Sequence, residues 1–452
     1  MEPAVARSLY RNEVDFAALA LQSRDFAKHL KPNGQLDFND PAAIRQLTTT
    51  LLDQDFRLKV EIPEDRLCPP VCTKQHRLNY ILWLQDLIDS TAGGLHEGYD
   101  RGREVVGLDM MHQHISPTGL RDSRTVEVRS NRYIYISNDA RQSLINPTDV
   151  DENNIRTAQR NVVLNNLDSR IQLVKSDPAG PLFPLDQIGQ DTLDFTMCNP
   201  PFYTSRDELI KSAEEKKRVP FSACTGAEVE MVTDGGEVAF VKRMIDESLQ
   251  LRTRIQWYTC MLGKLSSVSV ILEKLIQHDN HNFAVTEFDQ GGKTKRWAVA
   301  WSWGDRRPAM SVARGNPGCP KHLLPFPSEY SFPLPPGTSI DTVIAAIKTE
   351  LGSLSWFWAW DQARSMGTGF AEENTWSRHA RRKMKAIGRE GSSTLEEIPT
   401  NVAMGVRVQV RLIRGEKAED QEVRVTVRWI QGTDAVLFES FCGMLKRKLE
   451  SN

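Results

Sequence analysis

The chain has 452 residues, 40% of them hydrophobic and 26% charged, enough for two domains with ordinary cores. A formal net charge of −2 excludes nucleic-acid binding through an overall positive field and leaves that task to local basic patches. The seven cysteines are odd in number and dispersed, which excludes a disulfide scaffold and reads as free thiols in a reducing compartment. Cys68 and Cys72 are close, but no second Cys/His pair has zinc-ligand spacing, so no metal is expected. No apolar run approaches the roughly 20 residues needed to cross a bilayer. The amino terminus lacks a charged-then-apolar signal pattern, and an intracellular soluble protein with no membrane partner is expected.

In chain order, residues 8–30 predict a helix with Phe16, Leu19, Ala20 and Phe26 on its apolar face. Asp40 then caps a second helix whose first residue is Pro41, with Ile44, Leu47, Leu51 and Leu52 aligned. A third helix is predicted from Arg77 to Ile88. From there the pattern alternates: strand Glu104–Asp109, helix Asp151–Leu167, strands Ile171–Val174 and Thr192–Met197, helix Gly236–Leu251 and strand Ile255–Leu262. The runs Phe283–Phe288 and Arg296–Trp303 flank a glycine-bearing loop and read as a closing hairpin. The alternation predicts an α/β doubly wound sheet with one reversed edge, spanning residues 1–304 with the preceding helices. Residues 305–338 hold eight of the 23 prolines and read as a stiff linker. Residues 339–452 predict a small carboxy-terminal α+β unit: helix Ile340–Leu351, strands Val406–Ile413 and Glu422–Ile430, and helix Ala435–Leu449.

The most informative stretch is Leu193-Asp194-Phe195-Thr196-Met197-Cys198-Asn199-Pro200-Pro201-Phe202-Tyr203. An apolar run rich in β-formers stops on a double proline, which forbids helix beyond it. A strand's carboxyl end in an open α/β sheet is where ligands bind. The Asn199 side-chain oxygen and the Pro200 carbonyl can each accept one N–H of adenine N6, while Pro200 and Pro201 hold those acceptors still. Phe202 or Tyr203 can stack on the purine, a contact worth about 1–3 kcal/mol. Such a site works by positioning an exocyclic amine for methyl transfer. The bland alternative is a chance Pro-Pro turn after a strand.

Asn199-Pro200-Pro201-Phe202 resembles the amino-methyltransferase signature of class I S-adenosylmethionine-dependent enzymes. The chain is similar to the methyltransferase-like protein 16 group, which methylates adenosine N6 in U6 small nuclear RNA. The matching stretches are Asp37-Phe38-Asn39-Asp40-Pro41, Arg77-Leu78-Asn79-Tyr80-Ile81, Thr148-Asp149-Val150-Asp151 and Cys198 to Tyr203. Further on come Asp234-Gly235-Gly236-Glu237 with Phe240-Val241-Lys242-Arg243, Cys260-Met261-Leu262-Gly263-Lys264, and Arg296 to Trp301. Together they cover roughly residues 10–303, and several motifs in the right order are more specific than any one. The resemblance implies a class I methyltransferase fold, S-adenosylmethionine as cofactor, RNA as partner, and a nuclear location with the cytoplasm as a second one. Bacterial enzymes that methylate adenine N6 in ribosomal RNA resemble the same core.

By the same resemblance, Asp149 is the acidic ribose ligand, Arg77 meets the cofactor's methionine carboxylate, and Asp109 and Asn199 line the cofactor site. On local sequence alone Asp149 reads equally well as a helix cap, and Arg77 reads better as a solvated helix residue. After Asp109 the family continues into a Gly-x-Gly loop. Here residues 110–147 hold Met110-Met111-His112-Gln113-His114, arginines 121, 124, 129, 132 and 141, and the single glycine Gly119. The second strand is expected to shrink to Ser143–Pro147, with family sequence resuming at Thr148. A gene-model error across these codons is the favoured explanation, with a divergent insertion as the other.

RNA contacts are expected from Lys211, Lys216, Lys217 and Arg218 after the Asn-Pro-Pro-Phe motif, from Lys264, and from Lys293, Lys295 and Arg296 in the hairpin turn. Simple solvation is the alternative for each; the resemblance favours RNA for Lys264 and Arg296. A further basic cluster, Arg378, Arg381, Arg382, Lys383, Lys385 and Arg389, reads as an accessory RNA surface or a solvated helix face. Two functions from different classes stand: an RNA adenosine N6-methyltransferase, and a catalytically impaired RNA-binding remnant that has lost the cofactor loop.

Overall fold

A computed structural model describes residues 14–38, 40–64, 74–93, 95, 103–111, 143–149, 152–177, 179–201, 204–205, 233–289, 295–377, 380, 382, 395–413 and 421–451, without the side chains of 55–56, 74–78, 111, 143–149 and 289. The chain divides into two units, one of Met1–Ile88, Tyr99–Gly304 and Gly315–Leu324, the other of Asp89–Gly98, Asp305–Arg314 and Pro325–Asn452. Among the described residues no helix is long and apolar enough to cross a membrane.

Among the described residues the first elements are α1 (Phe16–Gln22) and α2 (Arg24–Ala27), not the single helix predicted over 8–30. Ser23 is the break: it ends α1 in an extended conformation, and its hydroxyl accepts the Phe26 N–H to start α2. Helix α3 (Pro41–Phe56) starts as its sequence predicts, with the Asp40 carboxylate accepting the Ala42 N–H at 2.9 Å. Helix α4 (Lys74–Ser90) buries almost every residue from Tyr80 to Ile88.

The strands are β1 (Val105–Met111), β2 (Ser143–Asp149), β3 (Val174–Lys175), β4 (Leu193–Asn199), β5 (Ile255–Leu262), β6 (Phe283–Asp289), β7 (Lys295–Trp301) and the two-residue β8 (Arg314–Gly315). They form one sheet in the order β3-β2-β1-β4-β5-β7-β6-β8. β3, β2, β1, β4 and β5 run parallel, and β7 closes against β5 antiparallel. Helices α5 (Glu152–Leu164), α6 (Leu185–Ile188), α7 (Gly236–Leu251) and α8 (Leu265–Gln277) connect them. The doubly wound sheet with a closing hairpin is therefore as expected. The second strand is longer than the sequence predicts. Ser143–Asp149 pairs with β1 from Ser143 to Pro147 and with β3 at Thr148 and Asp149.

Register in the centre of this sheet is set by packing. Gly107 lies level with Phe195, and a Cβ at Gly107 would overlap the Phe195 ring. At the amino end of the strands the Asp194 carboxylate accepts the Val106 N–H at 2.8 Å and pairs with Arg103 at 2.7 Å. A one-residue slip would break both contacts and turn every β4 side chain to the wrong face.

The second unit is built on an antiparallel sheet, in the order β10-β11-β12-β13-β9. Its strands are β9 (Glu329–Pro333), β10 (Phe357–Asp361), β11 (Met366–Ala371), β12 (Met404–Ile413) and β13 (Glu422–Gln431). Among the described residues its named helices are the short α9 (Met310–Ala313), α10 (Ile340–Gly352) and α11 (Ala435–Glu450). The core gathers Val406, Val408, Val425 and Val427 from the sheet with Ile347, Leu351, Phe441 and Leu445 from the helices. The proline-rich stretch 305–338 is not a free linker. Residues 315–324 belong to the first unit, the rest to the second, and Glu329–Pro333 is an edge strand, a place where proline is tolerated.

The Gly107 contact gives a direct check. Gly107→Ala forces a methyl into the Phe195 ring and is expected to cost about 1–3 kcal/mol, as overpacked cores do. Adding Phe195→Leu opens the space and should recover part of that loss, read as midpoints of urea unfolding.

Candidate active site

Every residue of β4 except Asp194 is buried, because the parallel sheet is covered on both faces. The strand ends on Asn199, 9% exposed, followed by buried Pro200 and Pro201. Asn199 stands level with Met111 of β1. Extending the β1–β2 register by one pleat brings Asp149 level with Met111. Three adjacent strands thus end in one row, Asp149, Met111 and Asn199, at the carboxyl edge of the sheet. Asp109 lies one pleat back on β1 and is 1% exposed.

The β4–β5 ladder pairs Leu193 with Ile255 and Phe195 with Trp257. Beyond that point side chains join the two strands. Thr259 donates its backbone N–H to Thr196 Oγ1 at 3.2 Å and its hydroxyl to the Thr196 carbonyl at 2.7 Å. Tyr80, from α4, places its hydroxyl 2.6 Å from Thr259 Oγ1 and 3.4 Å from the Cys198 nitrogen. Thr259 has already spent its one hydroxyl proton on Thr196, so Tyr80 must donate to Thr259 and accept from the Cys198 N–H. The 3.5 Å approach of Tyr80 Oη to the Cys198 carbonyl is then left without a proton. Tyr80 is held from its other side by Trp83 and Phe288, at ring-centroid distances of 6.2 and 6.0 Å. Burial pushes the Tyr80 hydroxyl and the Cys260 thiol well above their ordinary pKa values, with Cys198 and Glu237 adding to the shift at Cys260. Both stay protonated near neutrality, so neither serves as a general base there.

The motif Asp234-Gly235-Gly236-Glu237 has a local explanation. Gly235 and Gly236 both have positive φ at the start of α7, a conformation that glycine adopts without strain. Glu237 lies in the helix's first turn, where the macrodipole favours a carboxylate, and is buried. Its Oε2 accepts the Gly263 N–H at 2.7 Å, which pins the turn after β5. Among the described residues Oε1 has no hydrogen-bond partner. Lys264 follows as an exposed residue at the start of α8. Leu262 pairs with Trp297, so the start of β7 lies at the same sheet edge as Lys264. Lys295 there meets Glu287 at 2.6 Å, and Glu287 also accepts from Trp297 Nε1 at 3.1 Å. Arg296 is half-buried and donates to the Lys295 carbonyl.

The structure therefore brings Asp109, Asp149, Asn199, Pro200 and Pro201 to one edge, with Lys264, Lys295 and Arg296 along it. Arg77 lies on α4 one turn before Tyr80, and the side chains of Arg77 and Asp149 are outside the description. Phe202, Tyr203, Lys211, Lys216, Lys217, Arg218 and Lys293 lie outside the described residues, as do residues 112–142 and, of the carboxy-terminal cluster, all but Arg382. Tyr80, Thr259 and Glu237 were quoted in the sequence or passed over without a role. Their roles depend on contacts across more than a hundred residues for Tyr80, and no local spacing signals those.

A buried carboxylate on β1, with Asp149 and Asn199 at the ends of the flanking strands, suits a ligand with a nucleoside part, whose hydroxyls need acceptors. Of the predicted cofactor residues, Asp109, Asp149 and Asn199 are the ones whose backbone positions lie at or next to this edge.

Glu237→Ala leaves the Gly263 N–H without its acceptor and is expected to destabilise the chain by about 1–3 kcal/mol. Glu237→Gln keeps an acceptor oxygen and should lose less, both read from urea midpoints.

A family model described as RNA methyltransferase matches residues 2–110 and 142–305, leaving out the stretch that lacks the glycine pair. The U6 small nuclear RNA (adenine-(43)-N(6))-methyltransferase of Schizosaccharomyces pombe is 32% identical over 422 residues, covering 93% of this chain and 96% of that protein. The RNA N(6)-adenosine-methyltransferase mettl16 of Danio rerio is 31% identical, covering 98% of this chain and 96% of that protein. Among solved structures, the hMettl16 catalytic domain in complex with MAT2A 3'UTR hairpin 1 matches with a TM-score of 0.50 and 34% identity, over 65% of this chain and 92% of that one. The chain belongs to this RNA methyltransferase family.

Proposed function

We propose that the protein transfers the methyl group of S-adenosylmethionine to N6 of an adenosine in structured RNA, with U6 small nuclear RNA as the substrate and the nucleus as its place of work. The observation that carries the reading is the buried Asn199 amide at the end of β4, followed by two buried prolines and level with the β2 terminus that ends in Asp149. The relatives named for U6 and RNA adenosine N6-methylation support the substrate.

When bound, S-adenosylmethionine would supply an electrophilic methyl carbon, its sulfur–methyl bond breaking as the nitrogen–carbon bond forms and S-adenosylhomocysteine leaving with that electron pair. The Asn199 side-chain oxygen and the Pro200 carbonyl each accept one N–H of the adenine amine, which turns the nitrogen lone pair toward that carbon. As nitrogen gains positive charge both acceptors bind its N–H groups more tightly, so they stabilise the transition state more than the ground state. One N–H proton then leaves to water. Asp149 would take the cofactor's ribose hydroxyls, Arg77 its carboxylate, and Asp109 would support the same pocket from β1. Phe202 or Tyr203 would stack on the adenine. Lys264, Lys295 and Arg296 meet RNA phosphates along this edge, and the sequence offers Lys211, Lys216, Lys217, Arg218 and Lys293, which lie outside the described residues, for the same task. The second unit serves as an accessory to this catalytic unit.

The break in the family match over 111–141 favours a second reading, an RNA-binding protein impaired in catalysis. Asn199→Ala separates the roles. Turnover on a U6 hairpin should fall by about two orders of magnitude or more, while RNA affinity by filter binding stays within about twofold. Equal turnover in the variant removes Asn199 from the reaction.

A further inference from the structure

From the geometry at the end of β4, we infer that Tyr80 is a positioning residue for the methyl transfer, acting through the Cys198 peptide to hold Asn199 at its working height. The inference rests on the reading of Asn199 as the group that orients the adenine amine.

The β4–β5 ladder ends at Phe195 and Trp257, three residues short of Cys198 and four short of Asn199. On the β5 side, the Cys198 N–H is taken by the Tyr80 hydroxyl at 3.4 Å. The hydroxyl is fixed in turn by Thr259 at 2.6 Å, and Thr259 by the Thr196 carbonyl at 2.7 Å. The result is a closed run of donors, Cys198 N–H to Tyr80 to Thr259 to Thr196, that starts and ends on β4. It substitutes for the missing ladder where the strand reaches the site. Tyr80 is 1% exposed and wedged against Trp83 and Phe288, so the hydroxyl has one place to be. Its pinning matters because small displacements of a positioned acceptor cost large factors in rate. Pro200 and Pro201 limit drift on the far side of Asn199, and Tyr80 limits it on the near side.

Tyr80 also belongs to α4, the helix that carries Arg77 one turn earlier. One helix therefore reaches the adenine acceptor through Tyr80 while the resemblance places its Arg77 at the cofactor.

The test uses the full chain with Tyr80→Phe, Thr259→Val and Thr259→Ser. Tyr80→Phe and Thr259→Val should each lower kcat on a U6 hairpin by about tenfold or more, with KM for RNA and S-adenosylmethionine affinity held within about twofold. Thr259→Ser keeps the hydroxyl and should keep most of the activity. Hydrogen exchange read by mass spectrometry, without RNA or cofactor, should show the Cys198 and Asn199 amides exchanging about tenfold faster in Tyr80→Phe while those of Ile255–Trp257 stay as in the wild type. A wild-type kcat in a folded Tyr80→Phe variant overturns the inference. So does a loss in which kcat, KM and melting temperature all shift together, as for general destabilisation. If the wild type itself shows no turnover, the functional reading fails, and the exchange measurement still decides whether Tyr80 holds the end of β4.

Discussion

The height of β4 against its neighbours is the constraint on which the rest of the first unit depends. An amide side chain at the end of a buried strand meets a ligand only if it emerges on the right face and level with the strands beside it. Two contacts far from the site fix this: the Phe195 ring over Gly107, and the Asp194 carboxylate on the Val106 N–H. With them in place, β2, β1 and β4 terminate in one row, and Asp149 and Asn199 are separated by a single strand. Neither contact touches a ligand. The chemistry at the carboxyl edge is inherited from packing at the amino edge and middle of the sheet.

On the proposed reading the edge works by positioning its substrate more than by acid–base catalysis. Tyr80 and Cys260, which lie beside β4, are driven toward their neutral forms by burial. What the edge offers instead is fixed acceptors and a cationic rim of Lys264, Lys295 and Arg296. Each rim cation counts for little singly, and Lys295 is already engaged with Glu287. Their common position matters more than their individual strength, because a nucleic-acid backbone can meet several at once.

Much of this was legible in the sequence, and the physical reason differs by element. Gly236–Leu251 and Ile255–Leu262 agree with their predicted bounds because each has a strong period and a sharp stop. Asp40 and Pro41 announced α3 through side-chain capping, a local interaction. Helix α8 was passed over, although Val268, Ile271, Leu272 and Leu275 lie on one face. It follows β5 with only Gly263 and Lys264 between, and its Ser- and Val-rich start has no capping side chain. Strands β10 and β11 were missed because Gly367 and Gly369 look like loop residues. In the fold they clear room for the Trp358 and Trp356 rings. The second strand was underestimated, since Asn146, Pro147 and Thr148 weaken the apolar pattern and only the pairing with β1 and β3 reveals them as strand. Its presence means that the doubly wound core persists on both sides of the atypical stretch. The Asn-Pro-Pro-Phe motif could be singled out because its residues are adjacent in the chain, whereas Tyr80, Thr259 and Glu237 make their contacts across the sheet.

The central claim is that this edge transfers a methyl group to adenine N6. The most direct measurement incubates the full chain with isotopically methyl-labelled S-adenosylmethionine and a U6 hairpin RNA, then identifies the nucleosides by mass spectrometry after digestion. The account predicts labelled N6-methyladenosine at a single adenosine, with none formed by the Asn199→Ala variant. RNA that is bound by the protein yet carries no label would contradict it, and would leave an RNA-binding member of the family whose catalytic edge is intact in form alone.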